Sequence, residues 1–240
     1  SKLTPSATYP VLPAPVAGAS CTQQTYFSYA RTGGVNGVVV PPGTNTNQTI
    51  YMIRHAEAHP SSNFEDGNYV GAGQWRALSL PNFLPGALRG QNSPTAVYSV
   101  DPAQAFPLVN VSYVRPSLTV LPYAIANNLP YYLAASFLLD PDAKSETAAE
   151  NARKFFFTNT AGVNLSNQTI LLAWEHDHFP PLIKHLLDSY GGTVPAPTLS
   201  WPSGDYDTIW TVTLDASGNV TVHNALCEGI DSASLPATAP

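Results

Sequence analysis

Two short apolar runs constrain the fold of this chain more than any other feature of its sequence. Residues 49–54 read TIYMIR and residues 169–174 read TILLAW, and polar sequence bounds each run. Runs of this length, rich in β-branched and large apolar residues, are typical of strands buried on both faces of a sheet. Because helical patterns lie between these strands and after them, the sequence predicts an α/β fold.

The rest of the pattern predicts a three-layer sandwich. Further helices and strands are indicated at residues 75–84, 96–100, 116–127, 145–157, 180–190, 208–214 and 219–223. The last two segments alternate around a turn and predict a C-terminal hairpin. We therefore expect a mostly parallel central sheet with helices on both faces.

Composition indicates one domain with an extension at each end. Residues 1–48 form a predicted N-terminal extended arm and lead-in, because the first part is rich in Pro, Ala, Ser and Thr. Residues 49–228 hold the predicted domain, and residues 229–240 form a C-terminal tail. No low-complexity linker divides the chain, and its hydrophobic fraction of 44% is enough for a full core.

The charge balance argues against two classes of partner. The net charge is −6 at pH 7 with only 10 Lys and Arg residues, whereas phosphate backbones of nucleic acids require clustered cations. The sequence contains neither a basic run nor an apolar stretch of about 18 residues, so no membrane association is expected. The oligomeric state is left open.

Cysteine usage favours an extracellular protein. Cys21 and Cys227 lie near the two ends, lysine is scarce, and prolines number 23. A Cys21–Cys227 disulfide is expected, which would contribute about 4–5 kcal/mol in the chain-entropy model; two buried free thiols are the alternative. The chain starts at Ser1 without Met, so we expect that a signal peptide has been removed.

Polar residues directly follow both buried strands. Arg54 ends the first strand and is followed by His55 and then His59, whereas Glu175–His178 (EHDH) follow the second. Ligand sites of open α/β sheets lie beyond the carboxyl ends of strands, so the two clusters are predicted to share one crevice. A guanidinium binds phosphate oxygens in a planar fork, and a neutral imidazole can attack phosphorus, so this pairing suits phosphoryl transfer.

These residues resemble the motifs of the histidine phosphatase superfamily, which includes phosphoglycerate mutase-like proteins and histidine acid phosphatases. Arg54-His55-Ala56-Glu57 resembles the family's Arg-His-Gly signature in its Arg-His-Ala-Glu form. Arg115-Pro-Ser-Leu-Thr119 resembles its second arginine motif, and His176 its second catalytic histidine. The resemblance covers roughly residues 49–214.

The resemblance implies a phosphomonoesterase that needs no cofactor or metal and acts on a small phosphorylated substrate. His55 would become phosphohistidine while Arg54, Arg115 and His176 clamp the phosphate. From their positions after the two buried strands, and not from the resemblance, we also expect Glu175 and His59 to help to bind the substrate. Mutase activity shares the phosphohistidine step and stays open.

The proton donor departs from the family pattern. Smaller members carry a Glu general acid in the segment that corresponds to residues 131–142. In this chain, the acidic residues of that segment are Asp140 and Asp142, and it has no Glu. His176-Asp177 resembles the His-Asp pair of the acid phosphatase branch, in which the Asp protonates the leaving group. We therefore expect Asp177 to be the general acid, with Glu175 as a rival, and activity to be highest at acid pH.

Two other functions stay open. A metal-dependent hydrolase or metal binder would use His55, His59, His176 and His178, since the first two are four residues apart, as on a zinc-protease helix. The preceding strand and Pro60 argue against a helix there. A non-catalytic binding protein on the same fold is the other alternative, because the usual Glu is missing.

Overall fold

A central sheet carries the residues singled out above. The computed structural model of the chain describes residues 24–58, 67–102, 105–106, 111–134 and 146–240. The described strands are β1 (Ser28–Arg31), β2 (Gln48–Arg54), β3 (Ala96–Val100), β4 (Ala105–Phe106), β5 (Val111–Ser112), β6 (Tyr131–Ala134), β7 (Thr169–Trp174), β8 (Thr208–Leu214) and β9 (Val220–Cys227). The described α-helices are α1 (Gly71–Ala87), α2 (Arg115–Ala126), α3 (Glu146–Phe157) and α4 (Phe179–Ser189).

The sheet is mixed rather than mostly parallel. Its strand order is β1-β9-β8-β2-β7-β3-β6, and β4 and β5 form a separate two-stranded sheet. Strand β7 runs parallel to both β2 and β3, and β6 runs parallel to β3. The pairs β1–β9, β9–β8 and β8–β2 are antiparallel. The prediction of a mostly parallel sheet is therefore wrong, because the C-terminal hairpin, itself correctly predicted, docks beside β2 and is extended by β1.

Helices cover both faces of the sheet, as predicted. Ile50 and Met52 of β2 belong to a core that includes side chains of α3 and α4. Tyr51 and Ile53 of the same strand belong to a second core that includes side chains of α1 and α2. Because successive side chains of a strand point to opposite faces, the alternation along β2 separates the two cores and confirms the α/β sandwich.

The helices confirm the predicted pattern, with shifted ends. Helix α1 is longer than predicted and passes through Pro81 and Pro85. Helices α2 and α4 carry Pro116 and Pro180 in their first turns, where a missing backbone N–H costs no intrahelical bond. Ser145, the predicted cap of α3, lies outside the described residues. Among the described helices, none is long and apolar enough to cross a membrane.

Both predicted extensions contact the domain where the structure describes them. Strand β1 lies within the lead-in and pairs with β9. In the tail, the carbonyl of Thr238 accepts a hydrogen bond from Nε1 of Trp75, 2.7 Å away. Cys227 ends β9 and is not a free thiol. Cys21 lies outside the described residues, so its pairing with Cys227 stays a prediction.

Candidate active site

The carboxyl ends of β2 and β7 bring the two predicted clusters together. Arg54 is in register with Trp174 in the parallel pair, and the backbone N–H of His55 donates to the carbonyl of Trp174 at 2.9 Å. His55 and Glu175 therefore follow neighbouring strands at one edge of the sheet. Arg115, at the start of α2, is close enough to act on the charge of His55 together with Arg54.

The imidazole of His55 is neutral and presents one nitrogen. Its side chain is buried, and burial together with the charges of Arg54 and Arg115 lowers the pKa of His55 to about 3. Nδ1 lies 2.8 Å from the carbonyl oxygen of Ala56, which can only accept, so Nδ1 carries the proton. Nε2 then keeps its lone pair, and no described residue is hydrogen-bonded to it. Such a nitrogen can act as a nucleophile.

Two backbone carbonyl oxygens hold Nη1 of the Arg54 guanidinium. Nη1 donates to the carbonyl oxygens of Ser203 at 2.6 Å and Asp205 at 3.1 Å. The side chain is only 3% exposed, and its buried Nε has no hydrogen-bond partner among the described residues. Burial lowers the pKa of Arg54, whereas Tyr206 and Glu175 act in the opposite direction. An unsatisfied buried N–H is costly, so this nitrogen is suited to an anionic ligand.

Two tyrosines flank His55, one beside each arginine. The guanidinium carbon of Arg54 lies 3.8 Å from the ring centre of Tyr206, and that of Arg115 lies 5.4 Å from the ring centre of Tyr113. The two rings have their centres 6.2 Å and 6.1 Å from the centre of the His55 imidazole. Sequence reasoning missed both tyrosines, because neither belongs to a motif or directly follows a buried strand.

Thr119 joins the segment after His55 to the start of α2. Its Oγ1 accepts a hydrogen bond from the backbone N–H of Ala56 at 2.7 Å and donates to the carbonyl of Arg115 at 2.8 Å. Thr119 is fully buried. One hydroxyl therefore fixes the spacing between the backbones that carry His55 and Arg115.

Glu175 lies between two histidines. Its carboxylate is in close contact with Nδ1 of His176 and lies 3.1 Å from Nδ1 of His178. It also accepts a hydrogen bond from the backbone N–H of Asp177 at 3.1 Å. Burial raises the pKa of Glu175, but the hydrogen bonds from both histidines outweigh burial and hold that pKa below its usual range. Glu175 is therefore ionised at neutral pH, which disfavours it as the proton donor.

The other residues of this segment have separate surroundings. The side chain of Asp177 is 41% exposed, with Oδ1 3.2 Å from Nε2 of His176. His178 is buried and stacks on Trp174 with ring centres 4.3 Å apart, which indicates a packing role. Glu175, His176 and Asp177 each offer an atom within 4.8 Å of the other two, a spacing that would also suit a metal ion. The remaining predicted residues lie outside the described part of the chain: His59, Asp140 and Asp142.

A buried charge cluster next to this site was also missed. The guanidinium of Arg76 is fully buried and contacts the carboxylates of Glu57 at 2.6 Å, Asp207 at 3.0 Å and Glu228 at 3.1 Å. Burial raises the pKa of Glu228, as do Asp207 and Glu57, while Arg76 lowers it; the pKa stays well above its usual value. Charged residues of helices usually lie at the surface, so the sequence alone gave no indication of this buried cluster.

Comparisons with known proteins give matches among solved structures. No protein-family model matches the chain, and no curated protein matches it. The chain is similar to the protein histidine phosphatase SixA complexed with tungstate (19% identity, 75% of this chain and 97% of that chain, TM-score 0.43). It is also similar to a mutant phosphoserine phosphatase from Entamoeba histolytica in complex with phosphoserine (13%, 74% and 97%, TM-score 0.44). A third match is Bacillus stearothermophilus YhfR (14%, 78% and 99%, TM-score 0.46). SixA and phosphoserine phosphatase are members of the histidine phosphatase superfamily.

Proposed function

We propose that this chain is a phosphomonoesterase of the histidine phosphatase type, in which His55 carries the phosphoryl group. One observation carries the proposal: a buried, neutral imidazole with an open Nε2 adjoins an arginine whose buried Nε has no partner among the described residues. The first group is a nucleophile and the second an anion-binding group. A phosphate bound to Arg54 would lie beside the nitrogen that attacks it.

The reaction proceeds in two steps. Nε2 of His55 forms a bond to phosphorus while the bond to the ester oxygen breaks, and that oxygen leaves with the electron pair and a proton from Asp177. Arg54, Arg115 and His176 stabilise the negative charge on the remaining phosphate oxygens. Water then attacks the phosphohistidine, gives its proton to the carboxylate of Asp177, and releases phosphate and free His55.

The ionised Glu175 supports the role proposed for His176 in binding the phosphate. A carboxylate against Nδ1 fixes the orientation of the imidazole, so that Nε2 faces away from Glu175. We therefore assign Glu175 to the orientation of His176 rather than to proton transfer.

Substitution of His55 tests the proposal. His55→Ala should abolish hydrolysis of para-nitrophenyl phosphate and the formation of acid-labile protein phosphate, while Arg54→Ala should lose about 100- to 1000-fold in rate. His185→Ala is the matched control, because His185 lies on α4 and contacts Glu150 instead of the site. Full activity in His55→Ala would overturn the proposal.

The same assay separates the alternatives. Activity that a chelator removes would favour a metal-dependent hydrolase, for which Glu175, His176 and Asp177 have suitable spacing. Phosphate-ester binding without turnover would favour a non-catalytic binding protein. Activity that resists the chelator and requires His55 supports the phosphohistidine route.

We also propose an extracellular setting, which the low lysine content and the two cysteines of the sequence support. Activity should be highest at acid pH, because the proposed donor must carry a proton. Thiol titration of the denatured, unreduced protein should detect no thiol, and reduction should lower the melting temperature. Two titratable thiols would remove the main support for secretion.

A further inference from the structure

Tyr206 contacts three parts of the proposed site at once. Its ring lies under the guanidinium of Arg54 and beside the imidazole of His55. Its hydroxyl accepts a hydrogen bond from the backbone N–H of Ala58 at 3.3 Å. We propose that Tyr206 is a positioning residue, which aims the free edge of Arg54 at the phosphate; this inference rests on the function proposed above.

The loop that carries Tyr206 is itself fixed. The buried carboxylate of Asp205 accepts hydrogen bonds from the backbone N–H groups of Asp207 at 2.9 Å and Thr208 at 3.0 Å, and from the hydroxyl of Thr208. The carbonyl oxygen of Asp205 accepts hydrogen bonds from Nε1 of Trp201 at 2.9 Å and from the guanidinium of Arg54. The acceptors of Arg54 therefore belong to a preorganised segment rather than to a loop that must order around the ligand.

The nitrogens of the Arg54 guanidinium differ in their contacts. Nη1 is bonded to two carbonyl oxygens, so the group can still pivot about that corner. The ring of Tyr206, 3.8 Å away, removes this freedom by holding one face of the guanidinium plane. The buried Nε, which has no partner among the described residues, then points in one fixed direction. Because a planar fork binds an oxyanion well only when correctly oriented, the ring should control affinity for phosphate.

The size of the effect follows from the burial of the contact. Tyr206 is 5% exposed and Arg54 is 3% exposed, so water screens their interaction little. The full worth of a desolvated contact between a cation and an aromatic face corresponds to roughly thirty-fold in an equilibrium constant. Because the contact is present with and without ligand, that value is an upper limit, and loss of the ring should weaken oxyanion binding by about tenfold.

Tungstate binding and steady-state kinetics of three variants test the proposal. Tungstate is a tetrahedral oxyanion, and its dissociation constant can be measured by calorimetry without turnover. Tyr206→Leu removes the aromatic face, whereas Tyr206→Phe keeps the face and loses only the hydroxyl. Tyr190→Leu is the matched control: Tyr190 is also buried, but it lies at the C-terminal end of α4, and its hydroxyl donates to the carbonyl of Gly218 in the turn between β8 and β9. Tyr206→Met, which keeps bulk without an aromatic face, replaces the Leu variant if that does not fold.

We expect Tyr206→Leu to weaken tungstate binding about tenfold and to lower kcat/KM by a similar factor. Tyr206→Phe should retain near-normal values, and Tyr190→Leu should lose stability but keep its tungstate affinity. Unchanged affinity in Tyr206→Leu, or equal losses in the Leu and Phe variants, would overturn the inference. A wild-type protein that neither binds tungstate nor hydrolyses phosphate esters would instead overturn the function proposed above.

Discussion

Glu57 and Arg76 form a buried ion pair, 2.6 Å long, two residues beyond the proposed nucleophile. The same guanidinium contacts Asp207, which directly follows Tyr206, and it donates to the carbonyl of Ile230 at 2.7 Å. One cation thus ties together the segment after His55, the loop that holds Arg54 and the region beyond β9. Because these segments are far apart in sequence, the cluster fixes their positions relative to one another.

We expect the cluster to make stability depend on the charge of Glu228. Burial and the neighbouring carboxylates raise the pKa of Glu228, so the folded protein keeps a proton that the unfolded chain releases in acid solution. Stability should therefore fall as pH rises from the ordinary glutamate pKa of 4.5 toward the higher pKa of Glu228 in the folded protein. Glu228→Gln keeps the shape without the charge and should melt at a higher temperature than wild type at about pH 8, but not at about pH 4.

Thermal unfolding across this pH range checks the prediction. Glu150→Gln is the control, because Glu150 is a half-buried surface carboxylate paired with Arg153 and its pKa is lowered by that hydrogen bond. The control should be destabilised or unchanged at neutral pH. A Glu228→Gln variant that melts below wild type at every pH would show that Arg76 requires the charge of Glu228.

His55 should have the opposite effect on stability. Its pKa is lowered to about 3 by burial, Arg54 and Arg115, so the folded state resists a proton that the unfolded chain takes up near pH 6.5. The wild-type protein should therefore lose stability as pH falls between these two values. His55→Asn, whose amide can still donate to the carbonyl of Ala56, should lose less. Melting temperatures at about pH 7.5 and 4.5 measure this, with His185→Asn as the control.

Thr119 provides a test of how the two halves of the site are joined. Thr119→Val removes the acceptor of the buried Ala56 N–H and the donor to the carbonyl of Arg115, at an expected cost of about 1–3 kcal/mol. The variant should melt at a lower temperature and lose kcat/KM, because both His55 and Arg115 are displaced. Thr119→Ser keeps the hydroxyl and should retain most activity. Equal kinetics in Val and wild type would show that the hydroxyl does not position the site.

Local sequence predicted the part of the site that follows directly from strand ends. Arg54, His55 and Glu175 were found because polar residues follow buried runs, and the carboxyl ends of neighbouring parallel strands lie together. The antiparallel half of the sheet could not be predicted in the same way. The residues of β8 indicate a strand, but nothing in them specifies that β8 pairs with β2 rather than at another edge.

Residues that act through contacts between distant parts of the chain could not be predicted from the sequence. Arg76 meets Asp207 and Glu228, which are 131 and 152 residues further along the chain. Tyr206 lies in a loop after α4 and reaches Arg54 only once β8 has docked beside β2. No periodicity or spacing encodes such meetings, because they depend on the packing of whole elements rather than on neighbours in sequence.

The proton donor is open to the most direct kinetic test. Asp177 is the proposed acid because its carboxyl is partly exposed and lies 3.2 Å from Nε2 of His176, whereas Glu175 is held as a carboxylate by two histidines. A donor must carry its proton when the bond to the leaving group breaks, so activity should fall as pH rises. The proposed nucleophile is compatible with activity in acid, since His55 stays neutral down to about pH 3.

Asp177→Asn keeps the shape of the side chain and removes the acid. It should slow alkyl phosphates, whose leaving groups need a proton, far more than para-nitrophenyl phosphate, whose leaving group needs little protonation. Asp188→Asn is the control, since Asp188 is an exposed partner of Lys184 on α4. Equal slowing of both substrates by Asp177→Asn would contradict proton donation and assign Asp177 to the orientation of His176. The donor would then be sought at Asp140 or Asp142, because Glu175 holds its negative charge between His176 and His178.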